Sequence, residues 1–407
     1  MRSTAMLLLG GCIILLAFDV GAQTPTPTPP PPTAKFVPPP KAGPPTPPVA
    51  YDEAIQKAAN LVLANALLPD GTERVGLVID PLIDGAAGGE SVQTQSMEKQ
   101  IIEIAKAKYP RYEILPFTAE NLTKSPMLLI GTFTALDNPT QKGVKDNYRI
   151  CLTMVDLKTR KVISKGRQFA KAEGIKTNPT AFYGDSPVYT KDEVTDAYIK
   201  SCQTTWYGDS VQQVYVDRLA TSTLVTAAIK AYDAGRYKEA LDIYTKAAAA
   251  PGGAQLRVYN GIYLSNLKLK NPNKAAEAFG KVVDYGLANE RLGVKFLFRK
   301  NASQYDTSIN QPYDMWLKQI AERAKASPGT CLEVVGHTSP TGPAALNDRL
   351  SLRRAEYIRN RLASQAGVLT ERSIATGVGS RENLIGTGRD DASDALDRRV
   401  EFKIVKC

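Results

Sequence analysis

The side chains best suited to binding chemistry lie in residues 336–355, which read GHTSPTGPAALNDRLSLRRA. The apolar run 332–335 predicts a strand before them, and the segment after the loop predicts a helix that continues to about residue 366. Apolar residues at every fourth position of this helix predict a buried stripe, formed by Leu346, Leu350, Ile358 and Leu362. Halfway along the stripe stands Arg354. Two interpretations are open: a stem on apolar surface whose guanidinium reaches water, or an arginine that binds a ligand.

Asn347 and Ser351 favour the ligand interpretation. They precede Arg354 by seven and three residues, so the three side chains share one helix face. This face is expected to point at the loop 338–342. The helix face and the loop together form a candidate binding site.

These motifs resemble the OmpA-like peptidoglycan-binding domain. G-H-T-x-x-x-G, N-x-x-L-S-x-x-R-A, G-x-G at 377–379, GR at 388–389 and RRVEF at 398–402 occur in the family's order, and the resemblance covers roughly residues 294–405. It implies an α/β sandwich of a mixed sheet with helices on one face. It also implies non-covalent binding of the diaminopimelate residue of the peptidoglycan stem peptide, whose ammonium an aspartate takes and whose carboxylate an arginine takes.

Two positions depart from the family's pattern. The arginine is present as Arg354, but the aspartate's position holds Ser339, and the asparagine that usually precedes the twin arginines is Asp397, beside Arg398. The resemblance implies weakened binding, abolished by Arg354→Ala and strengthened by Ser339→Asp, with Asp397 as a candidate replacement for the missing carboxylate. The candidate peptidoglycan-binding residues are Thr338, Ser339, Asn347, Ser351, Arg354, Asp397 and Arg398. The alternative function is an envelope assembly or regulatory adaptor with a vestigial wall site.

The first 50 residues predict export. Arg2, the apolar run 5–18 and small residues at 20–22 indicate a secretory signal peptide over 1–22. A Leu-Gly-Gly-Cys sequence leaves lipidation at Cys12 open as the less favoured alternative. Residues 23–50 are rich in proline and threonine and predict an extended linker, either filler or a tether across the periplasm. No later window is long and apolar enough to predict a membrane span.

Alternating helices and strands predict an N-terminal α/β domain over 51–215. A helix is predicted at 91–107, and strands are predicted at 75–79, 112–116, 127–134, 148–155 and 161–169. This order resembles the periplasmic α/β domain of flagellar, curli-secretion and penicillin-binding-protein-activator lipoproteins. The glycine-rich stretch 85–90 lacks the patterns of a P-loop and of a dinucleotide fold, so a surface loop is predicted there.

Residues 216–290 contain an internal repeat. YKEALDIY from Tyr237 is echoed by PNKAAEAF from Pro272, a period of 35 that is close to the tetratricopeptide period. Two such helical hairpins need a neighbouring domain for support. A rigid spacer and a protein-docking surface are both open, and we expect this region and the N-terminal domain to engage another cell-envelope protein.

Four cysteines follow the signal peptide, Cys151, Cys202, Cys331 and Cys407, and an oxidising compartment permits three pairings. In the sheet that the OmpA-like resemblance implies, Cys331 opens the strand before the ligand loop and Cys407 ends an antiparallel last strand. A bridge from Cys331 to Cys407 is therefore expected, with Cys151 to Cys202 as the second pairing and buried free thiols as the alternative.

Composition excludes several function classes. The chain has a formal charge of +10, which would ordinarily indicate nucleic acid, but export makes a cell-wall or membrane-surface partner the expected one. One histidine and no Cys-x-x-Cys pair exclude common zinc sites, and no acid, base and nucleophile group is visible, so neither cofactor nor catalysis is expected. The expected fold is an α+β multidomain protein: an N-terminal α/β domain, tetratricopeptide-like hairpins and an OmpA-like domain over 291–407. The expected location is the periplasm, with outer-membrane association open.

Overall fold

The computed structural model describes residues 47–68, 74–140, 145–189, 191–290, 292–309, 311–384 and 393–407. The predicted signal peptide, Cys12 and most of the predicted linker lie outside these residues, as does the GR motif at 388–389. Across the described ranges, no helix is long and apolar enough to cross a membrane. The folded part begins slightly before the predicted boundary, because the Val49 amide already donates to Phe169 O at 3.0 Å and Val49 O accepts from Lys171 N at 2.9 Å.

A six-stranded sheet forms the N-terminal part, with the order β3-β1-β4-β5-β6 and β2 beside β4. The strands are β1 (Val75–Ile79), β2 (Ile83–Asp84), β3 (Tyr112–Leu115), β4 (Met127–Asp137), β5 (Lys145–Asp156) and β6 (Lys161–Lys171). β1 runs parallel to β3 and β4, whereas β4, β5 and β6 form an antiparallel meander. The five strands that the sequence predicts are thus present, and β4 to β6 extend beyond their predicted ends.

Helices cover both faces of this sheet. α1 (Tyr51–Ala64) and α2 (Val92–Lys108) share one core with it, and α3 (Ala119–Lys124) connects β3 to β4. α2 begins where Ser91 and Thr94 form a reciprocal capping box, which satisfies amide groups that the first helical turn leaves unpaired. Three helices lie between β6 and residue 217: α4 (Ala181–Asp185), α5 (Glu193–Gln203) and α6 (Gln213–Asp217). α5 buries Tyr198 and Cys202 against the other face of the sheet.

Two helical hairpins follow, made of α7 (Leu219–Asp233), α8 (Tyr237–Ala249), α9 (Leu256–Lys268) and α10 (Pro272–Ala288). The repeat motifs at Tyr237 and Pro272 begin the second helix of each hairpin. α8 and α9 approach closely because Gly261 has no side chain: a Cβ there would lie 2.2 Å from the ring of Tyr244. The hairpin architecture agrees with the prediction, and the tetratricopeptide assignment itself stays a prediction.

The C-terminal part is a four-stranded sheet with the order β7-β10-β8-β9. Its elements are β7 (Phe296–Leu297), α11 (Tyr313–Ala326), β8 (Thr330–Gly336), α12 (Ala344–Gln365), β9 (Ser373–Gly377) and β10 (Arg399–Lys406). β10 is antiparallel to β7 and β8, and β8 is parallel to β9, so the sheet is mixed, as expected.

The helical hairpins and the C-terminal sheet share one apolar core. Trp316 of α11 stacks on Phe279 of α10 with ring centroids 5.6 Å apart, and its indole N–H donates to the Tyr263 hydroxyl oxygen at 2.8 Å. The boundary near residue 290 is therefore crossed by continuous packing. Whether the three predicted domains fold separately stays a prediction.

The buried face of α12 differs from the predicted stripe. Leu346 is 52% exposed and Leu350 is partly exposed, whereas Ile358 and Leu362 are buried as predicted. The other buried positions hold three polar residues, Asn347, Ser351 and Arg354, together with Ala355. The prediction was therefore wrong at the helix N-terminal half, where the buried face is polar.

In the structure, a disulfide joins Cys331 and Cys407, whose Cα atoms lie 5.0 Å apart. The second expected pairing is absent, because Cys151 and Cys202 are buried free thiols. Each sulfur instead contacts the other residue's backbone oxygen, Cys151 Sγ to Cys202 O at 2.8 Å and Cys202 Sγ to Cys151 O at 3.1 Å.

Candidate functional site

The loop after β8 and the first turns of α12 enclose a cavity of about 530 Å³. Its lining comprises Lys300, Asn301, Thr338, Ser339, Thr341, Gly342, Asn347, Leu350, Arg354 and Arg398. Five of the seven predicted site residues belong to this set, and Ser351 and Asp397 do not. The proximity of β8 to α12 depends on Gly336, where a Cβ would lie 1.9 Å from Ser351 O.

Arg354 is completely buried. Its guanidinium donates to three backbone oxygens: Nε to Ala302 O at 2.8 Å, Nη1 to His337 O at 2.9 Å and Nη2 to Arg299 O at 3.0 Å. The guanidinium carbon also lies 5.1 Å from the centre of the Phe298 ring. The interpretation in which this side chain carries its charge out to water is therefore wrong. Arg354 is a fixed cation that fastens the segment before α11 to the end of β8.

The loop hydroxyls and Asn347 form the neighbouring wall. Asn347 Nδ2 donates to Thr341 O at 3.1 Å, which fixes the loop against α12. Ser339 Oγ lies 3.2 Å from Thr341 Oγ1. The Thr338 amide donates to Gly379 O at 2.9 Å, whereas its buried hydroxyl has no hydrogen-bond partner. This wall therefore offers neutral hydrogen-bonding groups.

Ser351 and Asp397 stabilise surrounding backbone instead of lining the cavity. Ser351 Oγ accepts from Gly379 N at 2.9 Å and donates to Asp348 O at 2.8 Å. Asp397 is completely buried, and its carboxylate accepts from Leu384 N at 2.7 Å. Because Asp397 is not among the residues that line the cavity, its role as a replacement ligand for an ammonium stays a prediction.

The electrostatics of the cavity favour anions. Three cationic side chains line it, Lys300, Arg354 and Arg398, and no acidic residue is found among the described residues of its lining. Cations arranged around hydrogen-bonding hydroxyls and an amide can hold a carboxylate through charge-assisted bonds.

His337 and Glu401 form a buried pair behind the loop that the sequence motifs gave no reason to connect. His337 Nε2 lies 3.1 Å from Glu401 Oε1, and Arg399 Nη2 lies 3.2 Å from the same oxygen. Although burial raises the pKa of Glu401, its contacts with His337 and Arg399 outweigh burial and hold that pKa at about 2. Burial lowers the pKa of His337. The backbone joins the two strands at the base of the loop, since His337 N donates to Arg399 O at 2.9 Å.

One group of possible metal ligands includes this pair. Donor atoms of His337, Glu382 and Glu401 lie within 4.8 Å of one another. Both carboxylates are already engaged by cations, Glu401 by Arg399 and Glu382 by Lys403 at 3.3 Å. These contacts with cations disfavour a metal ion at this group.

A mixed sheet covered by helices, with a cationic cavity at the end of a central strand, defines an α/β sandwich built for binding. Residues 298–396 match the OmpA family. The chain is 34% identical over 114 residues to outer membrane porin F of Pseudomonas fluorescens, covering 28% of this chain and 32% of that protein. It is 30% identical over 136 residues to the peptidoglycan-associated lipoprotein of Pseudomonas aeruginosa, covering 33% and 77%. The chain belongs to the OmpA family.

Solved structures are also similar to part of the chain. The peptidoglycan-associated lipoprotein from Burkholderia pseudomallei has 25% identity and a TM-score of 0.25, and the match covers 27% of this chain and 89% of that one. The cell wall anchor of the T6SS from Pseudomonas aeruginosa has 24% identity and a TM-score of 0.23, covering 28% and 79%. The chain spans about a third of the length of the first curated relatives that it matches. The family match and the curated relatives confirm the OmpA-like resemblance, and the resemblances drawn for residues before 291 stay predictions.

Proposed function

We propose that this protein binds peptidoglycan through the cavity between the 338–342 loop and α12, without catalysing a reaction. The observation that carries the proposal is the arrangement of three cations, Lys300, Arg354 and Arg398, around one cavity of an OmpA-family domain. Stem peptides of peptidoglycan carry carboxylates, which such a cavity fits. The relative named peptidoglycan-associated lipoprotein, covered over 77% of its length, supports the same ligand.

Arg354 is the proposed anchor for a diaminopimelate carboxylate. Three hydrogen bonds to backbone oxygens hold its guanidinium, so the cation is in place before a ligand arrives. A preorganised group loses little conformational entropy on binding. Lys300 and Arg398 add positive charge on the same cavity, and the unpartnered hydroxyl of Thr338 supplies a neutral donor.

Ser339 limits the affinity. It stands where the family's pattern has an aspartate, and its hydroxyl can give a ligand ammonium only a neutral hydrogen bond. A charge-assisted bond is roughly twice as strong, so the missing carboxylate weakens binding by about 1 to 3 kcal/mol, or roughly 5- to 150-fold. Binding is therefore weak but specific for diaminopimelate-type walls.

Ser339→Asp tests this account by a gain of binding, which unfolding cannot imitate. Cosedimentation with purified diaminopimelate-type sacculi should show an affinity roughly 5- to 150-fold higher than that of the wild type. Ser364→Asp is the matched control, because it adds the same charge at an exposed position near the end of α12. Equal affinities for the two variants would remove position 339 from the site.

We also propose that the protein lies in the periplasm, where its N-terminal part and helical hairpins engage another envelope protein. The adaptor alternative keeps this partner but lacks wall binding, and the substitution of Ser339 is the observation that favours it. Affinity purification from crosslinked cells, with and without the residues after 290, tests whether the partner is retained. Cosedimentation tests wall binding. The adaptor alternative predicts that the partner is retained and that neither the wild type nor Ser339→Asp binds sacculi.

A further inference from the structure

A second cavity lies where the N-terminal sheet meets the C-terminal domain, and its volume including the mouth is about 710 Å³. It is lined by the 84–91 loop, the ends of β4 and β5, the segment 177–189, and Lys295, Leu384 and Leu396. β3 pairs with one edge of β1, and β4, which follows β3 in sequence, pairs with the other edge, so the strand order reverses at β1. Crevices at the carboxyl ends of strands beside such a switch are common ligand sites in α/β folds.

The C-terminal domain contributes one buried cation to this cavity. Lys295 is only 7% exposed, and among the described residues no carboxylate forms an ion pair with its ammonium. Its position is fixed by antiparallel pairing across the two parts of the chain, with Lys295 N donating to Pro187 O at 2.7 Å and Tyr189 N to Gly293 O at 3.2 Å. The ammonium lies 5.1 Å from the centre of the Tyr189 ring, whose buried hydroxyl makes no hydrogen bond.

The N-terminal part contributes one buried anion. Glu90 is 6% exposed, and its carboxylate has a single long contact, from Gln95 Nε2 at 3.5 Å. Its backbone is held in place because Glu90 O accepts from Thr180 N at 3.1 Å. The other carboxylate of the lining, Asp84, is already satisfied, since its Oδ1 accepts from Ala86 N at 2.8 Å and from the next amide.

Glu90 and Lys295 do not form an ion pair with each other, since their charged atoms are more than 4.0 Å apart. Burying an unpaired charge costs several kcal/mol, and both groups show that cost. Burial raises the pKa of Glu90 to about 7, with Glu98 adding to the effect, and burial lowers the pKa of Lys295 to about 8, with Arg399 adding to it. Within the described ranges neither group forms an ion pair. The rest of the lining is largely apolar and includes Ala87, Ala135, Pro179, Val188, Leu384 and Leu396.

We propose that this cavity binds a small zwitterion, an amino acid or dipeptide with an apolar side chain. The ligand's carboxylate lies between the ammonium of Lys295 and the hydroxyl of Tyr189, and its ammonium lies at Glu90. A simple carboxylic acid would leave Glu90 unpaired, and a simple amine would leave Lys295 unpaired. The apolar lining receives the side chain.

An analogue series on the wild-type full chain tests the proposal without any substitution. Isothermal titration calorimetry compares leucine with 4-methylpentanoate, which lacks the ammonium, and with 3-methylbutylamine, which lacks the carboxylate. Each charged contact contributes as a charge-assisted bond, so leucine should bind about 10- to 100-fold more tightly than either analogue. The proposal is overturned if no L- or D-form of leucine, methionine or phenylalanine binds at millimolar concentration, or if an analogue with a single charge binds as tightly as leucine.

Two substitutions assign the contacts. The Lys295→Met variant should no longer bind leucine more tightly than 3-methylbutylamine. The Glu90→Gln variant should no longer bind leucine more tightly than 4-methylpentanoate. Lys318→Met and Glu103→Gln are matched controls at exposed positions and should leave both preferences unchanged. Unchanged preferences in both cavity variants would contradict the assignment. This site is separate from the proposed wall site, so Ser339→Asp should not alter leucine binding.

Discussion

Replacing Arg354 by alanine is expected to destabilise the C-terminal domain, so lost wall binding in that variant would follow in part from unfolding. The substitution leaves three backbone oxygens, those of Ala302, His337 and Arg299, without their donor. Each buried acceptor left unsatisfied costs about 1 to 3 kcal/mol. Water entering from the adjacent cavity reduces this cost, so we expect a loss of about 3 kcal/mol, the low end of the total for three such acceptors.

Urea unfolding followed by tryptophan fluorescence measures this loss. Trp316 is 1% exposed and reports on the C-terminal core, and a Trp206→Phe background removes the only other tryptophan. Arg353→Ala is the matched control, because the neighbouring arginine is exposed and should change stability by no more than about 0.5 kcal/mol. A loss below about 1 kcal/mol in Arg354→Ala, with an unchanged dependence on urea, would refute the assigned hydrogen-bonding role.

Three further outcomes are expected. Non-reduced peptide mapping should recover a linked pair from Cys331 and Cys407, and reduction should lower stability by up to about 4 kcal/mol, because the bridge closes a loop of 76 residues; absence of the linked peptide would contradict the pairing. The pKa of Glu401 is lowered to about 2 in the folded state, so this carboxylate stabilises the fold above the unfolded value near 4.5, and the stabilisation is lost as pH falls towards 2. Glu401→Gln should therefore be destabilising at about pH 6 and nearly neutral at about pH 2. Measuring the free energy of unfolding across this pH range checks the prediction. Gly336→Ala should cost about 1 to 3 kcal/mol in urea unfolding, since the added methyl would overlap α12, whereas Gly329→Ala meets no atom within 4 Å and should be tolerated.

The binding motifs could be recognised from sequence because they are local, but the buried face of α12 could not be read from a four-residue spacing. A step of four residues turns the helix by about 400°, so the direction drifts by roughly 40° each time and by about 160° between Leu346 and Leu362. Those two leucines cannot share one narrow face. The buried face uses steps of three and four, which brings Asn347, Ser351 and Arg354 under the loop.

The second cavity could not be predicted from the sequence, because residues far apart in the chain form it. The 85–90 loop was predicted to lie on the surface, but the residues at 88, 89 and 90 are buried. The distant segment around residue 179 covers them, with Val92 N donating to Asn178 O at 2.9 Å and Thr180 N to Glu90 O at 3.1 Å. Contacts between residues so far apart in sequence leave no local periodicity. For the same reason the sequence could not place Asp397, which the structure puts against the backbone of Leu384.

The most direct test of wall binding is equilibrium cosedimentation of the wild-type full chain with diaminopimelate-type sacculi. The cationic cavity predicts saturable binding that a soluble stem tripeptide ending in diaminopimelate displaces, and weaker binding to sacculi whose stem peptides carry lysine at that position. Binding that does not saturate, or that the tripeptide fails to displace, would contradict the proposed site.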